Sequence, residues 1–194
     1  MSRRKTYIIY LSGLGDRYDS IRGACLWGWR IYGATVTLVP SRWASSETFD
    51  VKVKRVMQVV QEAHDNGYRV VLIGESAGGS LALNIYAQVP TLISRVVTLC
   101  GKNAQADTVS PRLYRRNPAF RVSMQRVGRA VEQLTRDQRQ RVSVVYPLVD
   151  AYVPRADTLI PDCHRVRLYS VGHLTSILFG LTFASFVLVR EARR

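Results

Sequence analysis

Three residues far apart in the chain are of the types that a nucleophile, an acid and a base require. Ser76 sits in Gly74-Glu75-Ser76-Ala77-Gly78, after the apolar run Val70-Val71-Leu72-Ile73 and before a helical pattern carrying Leu81, Leu83, Ile85 and Tyr86. A G-x-S-x-G turn between a buried strand and a helix pushes the serine hydroxyl out above the sheet edge, where a neighbouring base can take its proton. The flanking glycines have a steric reason, because strand and helix approach so closely around such a turn that Cβ atoms two residues either side of the serine would collide. Without chemistry, the same segment is a strand-to-helix turn with helix-starting residues.

The acid and the base are sought after later strands. Asp150 ends the run in VSVVYPLVDAYVP, and His173 follows VRLYSVG and opens the next helical pattern. An aspartate after a strand is often only a turn residue, and Asp157 and Asp162 stay open as alternative acids. The other histidines have duller settings: His64 stands beside Asp65 on a polar helix face, and His164 falls in the turn PDCHR. Cys163 and His164 are adjacent, a spacing that seldom points two side chains together. Asp16 reads as a cap for the helix that follows it.

The elements that must position these groups alternate. Strand-like runs recur at Thr6–Ser12, Thr35–Val39, Val70–Gly74, Arg95–Gly101, Val142–Pro147 and Val166–Ser170. Helical patterns lie between them at about Tyr18–Tyr32, Phe49–Asn66, Ser76–Gln88, Phe120–Arg136 and Leu174–Ala192. Alternating β and α units predict a parallel sheet with helices on both faces. Ligands of such sheets bind beyond the carboxyl ends of the strands, which is where Ser76, Asp150 and His173 all fall.

With G-E-S-A-G, an acid three residues before Val153-Pro154, and Gly172-His173 opening the last helix, the chain resembles an α/β-hydrolase over nearly its whole length. The resemblance implies a three-layer fold with about six parallel strands in one domain, residues 1–194, the family's first hairpin being missing. It implies a Ser76-Asp150-His173 triad, with Asp150 fixing the imidazole that moves the serine proton. The hexapeptide GESAGG is similar to that of carboxylesterases, yet their H-G-G-G oxyanion motif is absent and LSGLGD stands after the first strand instead. The Ala77 N–H, with that of Gly13 or Leu14, is then expected to hold an oxyanion. Residues 102–119 are expected to form a lip over the site, and Glu75, Tyr114 and Phe120 to contact substrate. The implied activity is that of a small, nearly capless serine hydrolase on a carboxylic ester or thioester, without metal or cofactor. An acyltransferase or a peptidase on the same triad remains open, as does a binding protein that keeps only the fold.

Composition bounds the partners. The 194 residues are 47% hydrophobic and 22% charged, with a net charge of +14. That charge predicts attraction to anionic partners, whether an anionic acyl substrate, a phospholipid surface or nucleic acid. Nine arginines between Arg112 and Arg141 face only Glu132 and Asp137, but too few aromatics interleave for a specific nucleic-acid site. Cys25, Cys100 and Cys163 are widely spaced and odd in number, as free thiols of a cytoplasmic protein would be. The apolar run Tyr7–Leu11 is too short for the core of a signal peptide and reads as a first strand. Leu174 to Val189 is uncharged and followed by Arg190, a pattern that a helix buried against the sheet and a short membrane segment share; interleaved Thr, Ser and Gly favour the buried helix.

Overall fold

Side chains alternate between the two faces of a strand, so a strand covered on both sides must be apolar throughout. The fully buried runs Ile8–Leu11 and Val70–Ile73 obey this. In a computed structural model describing residues 4–194, the chain runs β1 (Thr6–Leu11), a 3-10 turn into α1 (Asp19–Gly28), a second 3-10 turn (Trp29–Tyr32) and β2 (Thr35–Val39). It continues through α2 (Phe49–Asp65), β3 (Arg69–Glu75), α3 (Ala77–Gln88) and β4 (Ile93–Leu99) to α4 (Pro111–Arg116), α5 (Pro118–Gln133) and α6 (Arg136–Gln140). The last part holds β5 (Val142–Val149), α7 (Arg155–Thr158), β6 (His164–Val171), α8 (His173–Leu181) and α9 (Ser185–Arg193).

The six strands form one sheet in the order β2-β1-β3-β4-β5-β6, and every neighbouring pair is parallel. Ile9, Leu11, Leu72 and Val96 point to one face, into a core shared with α2, α3 and α5. Ile8, Tyr10, Val71, Ile73 and Leu99 point to the other, against α1, α8 and α9. The three layers follow from that alternation. The strand order reverses between β1 and β3, so the chain leaves their carboxyl ends in opposite directions and a crevice opens there.

The segment expected as one helix over Leu174–Ala192 is two, bent by 69° at a break. At the break the Thr182 hydroxyl donates to Leu178 O (2.7 Å), which also accepts from Thr182 N (3.0 Å), and the Ser185 hydroxyl donates to Thr182 O (2.7 Å), so side-chain bonds to the backbone accompany the bend. Among the described residues no single helix is long and apolar enough to cross a membrane.

Candidate active site

Ser76 is held at φ 48°, ψ −119°, a left-handed conformation that costs a non-glycine residue free energy unless its surroundings fix it. They do. Its N–H donates to Leu99 O (3.0 Å), and its carbonyl accepts from Gly79 N (3.0 Å) and Lys102 N (2.9 Å). A Cβ on Gly74 would stand 2.3 Å from Gly78 O, and one on Gly78 2.3 Å from Leu11 O, so only glycines let β1, β3 and α3 meet at this turn.

The loop after β6 returns His173 to the serine. Its Nε2 lies 2.9 Å from Ser76 Oγ and its Nδ1 2.6 Å from Asp150 Oδ2. Asp150 Oδ1 accepts the backbone N–H groups of Tyr152 and Val153, both at 2.9 Å. Burial opposes ionisation of Asp150, but the hydrogen bonds from His173, Val153 and Tyr152 outweigh it and hold the carboxyl below its usual value. An ionised carboxylate only accepts, so the His173 proton resides on Nδ1 and Nε2 is left to accept from the serine hydroxyl. The alternative acids are engaged elsewhere. Asp157 forms a buried ion pair with Lys102, and Asp162 pairs with Arg139 (3.0 Å).

Glu75, expected to contact substrate, is 0% exposed and both its carboxylate oxygens are committed within the chain. Oε1 accepts from Gly13 N (3.1 Å), Arg22 Nε (2.8 Å) and Arg22 Nη2 (2.5 Å), and Oε2 from the Tyr10 hydroxyl (2.5 Å). Burial and then the Glu75 charge push the Tyr10 phenol well above its usual range, which keeps it a donor. Burial works against the Arg22 charge, but Glu75 outweighs it and Arg22 lies above its ordinary value. The same guanidinium donates to Gly15 O (3.0 Å) and Leu14 O (3.3 Å). One buried ion pair therefore ties the loop after β1 to the residue preceding the serine. Neither motif spacing nor periodicity signals this pairing.

The loop so held decides which N–H groups are free. Gly13 N–H is spent on Glu75, so of the two N–H groups expected as alternatives for an oxyanion only that of Leu14 has no acceptor among the described residues. Ala77 N–H is the first of the unpaired donors at the start of α3. Gly13 has another role: a Cβ there would lie 2.9 Å from Ser76 Cβ. Asp16 does not cap α1; its carboxylate accepts Trp43 N (3.1 Å) and Ala44 N (3.0 Å) and so anchors the loop after β2.

A cleft of about 750 Å³ opens over Ser76 and His173. Its apolar lining includes Leu14, Ile21, Val109, Leu113, Phe120 and Ile177. Thr108, Val109, Ser110 and Leu113 of the expected lip thus border the cleft, pinned by the hydrogen bond from Thr108 Oγ1 to Asp157 (2.9 Å). Tyr114 does not reach it; its hydroxyl donates to Ala106 O (2.5 Å) and its ring packs on Phe120 at 5.8 Å. The two cationic residues of the lining, Arg22 and Lys102, are paired with Glu75 and Asp157, which leaves no charge facing an anionic acyl group from within. Cys100 Sγ lies within 4.8 Å of the Asp150 and His173 donor atoms. A cation there would have to break the Asp150–His173 pair, and burial raises the Cys100 thiol far above its usual range, so this donor set is poorly suited to a metal.

No protein-family model matches the chain, and no curated protein matches it in sequence. Its structure is similar to many solved ones. The monoacylglycerol lipase of Paleococcus ferrophilus is 14% identical with a TM-score of 0.65, over 98% of this chain and 96% of that one. Est1E of Butyrivibrio proteoclasticus is 13% identical with a TM-score of 0.67, over 99% and 90%. The α/β-hydrolase MGS-MChE2, from the metagenome of lagoon sediments at Mar Chica, Morocco, is 16% identical with a TM-score of 0.59, over 97% and 93%. The chain has the α/β-hydrolase fold, with a six-stranded parallel sheet between helices.

Proposed function

We propose that this α/β-hydrolase-fold chain is a serine hydrolase that cleaves a carboxylic ester or thioester through an acyl-enzyme, and that its acyl group is apolar. The observation that carries the reading is the unbroken chain from Ser76 Oγ to His173 (2.9 Å) to Asp150 (2.6 Å) at the mouth of an apolar cleft. Hydrolases among the solved structures of the same fold, the monoacylglycerol lipase included, add support for an ester as the bond cleaved.

In the first half-reaction Ser76 Oγ attacks the carbonyl carbon while His173 Nε2 takes the hydroxyl proton. The carbonyl oxygen becomes an oxyanion facing the N–H groups of Ala77 and Leu14. Asp150 remains ionised and stabilises the imidazolium through Nδ1. Collapse of the adduct breaks the bond to the leaving alkoxide or thiolate, which receives the proton from Nε2 and departs. Water then attacks the acyl-serine, giving its proton to His173, and the second collapse returns that proton to Ser76 and frees the acid.

A fluorophosphonate should label Ser76 alone, with no adduct on the Ser76→Ala variant and full labelling lost when His173 is replaced by Ala. Mass spectrometry that places the adduct on Ser80, or finds none on the folded protein, would sink the reading. Turnover of p-nitrophenyl esters should rise with acyl length from two carbons to medium chains, as an apolar cleft requires.

A further inference from the structure

The helices on one side of the sheet bury one apolar face and expose another. On α1 and the 3-10 turn after it, Leu26 and Trp29 pack inward, while Ile21, Trp27 and Ile31 face out, Trp27 at 67% and Ile31 at 81% exposure. On α8, α9 and the break between them, Ile177, Leu181 and Leu188 pack inward, while Leu174, Leu178, Phe183 and Phe186 face out, Phe183 at 83%. The two halves are one surface. Trp29 Nε1 donates to Leu181 O (2.8 Å), the Tyr32 and Ser185 hydroxyls meet at 3.0 Å, and α1 and α8 lie against each other.

An exposed apolar stretch of this kind is uncommon on a freely dissolved domain and marks a contact surface. Two observations name what covers it. The patch runs into the cleft, because Ile21, Leu174 and Leu178 are at once exposed and part of the cleft wall. Its border is basic: Arg17 lies over the Tyr18 ring at 4.8 Å, Arg30 over the Trp27 ring at 5.9 Å, and Arg190 follows Phe186 by one helical turn. From Leu174 to Arg190 there is no acidic residue; Glu191, next in the chain, is buried and pairs with Arg190 (3.3 Å), and on α1 the single acid, Asp19, is bound to Arg22 (2.8 Å). Apolar side chains at the centre with arginines at the rim match a bilayer of anionic lipid, whose surface attracts cations and whose acyl region accepts Trp, Phe and Leu. Neither of the two nine-residue helices, bent by 69° at their break, is long enough to span a bilayer alone, and each keeps one face buried against the sheet, which suits them to lie on such a surface.

We propose that the face formed by α1, α8 and α9 docks the protein onto an anionic membrane surface, with the cleft mouth opening at the lipid. This surface stands apart from the reading of the triad: a chain with no hydrolytic activity would dock in the same way.

The test uses the full chain as Ser76→Ala, so that no lipid is consumed, and vesicles of phosphatidylcholine with or without phosphatidylglycerol. The protein should sediment with anionic vesicles about tenfold more tightly than with neutral ones. Trp27 emission should shift to the blue on binding, and Trp27→Phe should abolish that shift, since Trp29 and Trp43 are buried. The pair Ile31→Ser and Phe183→Ser, both outside the cleft lining, should weaken vesicle binding at least about tenfold. In the chain that retains Ser76, the same pair should leave turnover of a short soluble ester unchanged. Failure to sediment at low salt, or binding indifferent to these substitutions, overturns the proposal. So does a concentration-dependent dimer that ignores vesicles and falls apart in the double variant, because a second copy would then cover the face. Vesicle binding by a chain that turns over no ester would support the docking surface and count against the proposed hydrolase alone.

Discussion

Replacing Arg22 tests whether the buried pair with Glu75 holds the site in shape. Arg22→Met removes two of the four donors on the Glu75 carboxylate, leaving Gly13 N and the Tyr10 hydroxyl around a group with no access to water. Breaking a buried ion pair from one side costs about 3–5 kcal/mol. For a chain of this length each kcal/mol lowers Tm by about 2–4 °C, so the expected loss is about 6–20 °C by calorimetry. The double variant Arg22→Met with Glu75→Gln restores neutrality, keeps an acceptor for Gly13 N–H, and should recover most of that loss. It should not recover the rate. Without the guanidinium, the carbonyls of Leu14 and Gly15 lose the bonds that fix the loop carrying the Leu14 N–H, and loss of one oxyanion donor costs about 10²–10³ in kcat. Stability and kcat of the single and double variants, measured on one soluble ester, separate the two effects. A double variant with native kcat would show that the loop is positioned without the pair, and the reasoning would fail.

Asp150→Asn should lower kcat by about 10⁴ with little change in Tm, because it retains the shape while leaving His173 in the wrong tautomer; a kcat within tenfold of native would refute its role as the acid. Asp157→Asn should do the reverse, since it breaks the buried pair with Lys102 and removes the anchor of Thr108: a loss of about 3–5 kcal/mol by denaturant titration with kcat per folded molecule nearly kept. Burial, and the nearby Arg194, Arg95 and Arg190, depress His164 below its ordinary value against the pull of Glu191. The unfolded chain therefore binds this proton first, and stability should be full above about pH 6.5 and fall as the pH drops below it. Tm followed from pH 7.5 to 5 should decline less in His164→Gln than in the native chain, and equal slopes would exclude the residue.

The strand pattern was legible because both-face burial leaves apolar runs that little else resembles. Thr35–Val39 coincides in sequence and structure, and the other five strands differ by two residues at most at either end. The elements read less well are those whose limits depend on tertiary contacts. Gly180 lets α8 settle on β4, where a Cβ would meet Leu99 Cδ2 at 2.9 Å, and the chain then turns at Thr182 although the sequence runs on without a charge to Val189. Ser76, Asp150 and His173 stood out because each follows a strand, a regularity of position. The internal partners of Glu75, which also borders the cleft, were not legible for the lack of one. A glutamate at the end of an apolar strand must find a cation or remain neutral. Its partner, though, is 53 residues away among 28 Lys and Arg, and no local pattern selects it.

That network also explains how a strained serine can be kept in place. A left-handed non-glycine residue costs about 1–3 kcal/mol, and a single hydrogen bond would not hold it. Around Ser76 the constraints converge from four directions: Leu99 O from β4, Lys102 N from the loop beyond it, Gly13 against its Cβ from the loop after β1, and α3 packed through Gly78 on Leu11 O. The Arg22–Glu75 pair locks the third of these to the residue beside the serine. Relaxing the turn would therefore require β1 and β3 to part, with the loss of a buried ion pair and of the packing between α3 and the sheet. Strain at one residue is set against several contacts that together cost more to break, and the hydroxyl stays aimed at His173 before any substrate arrives.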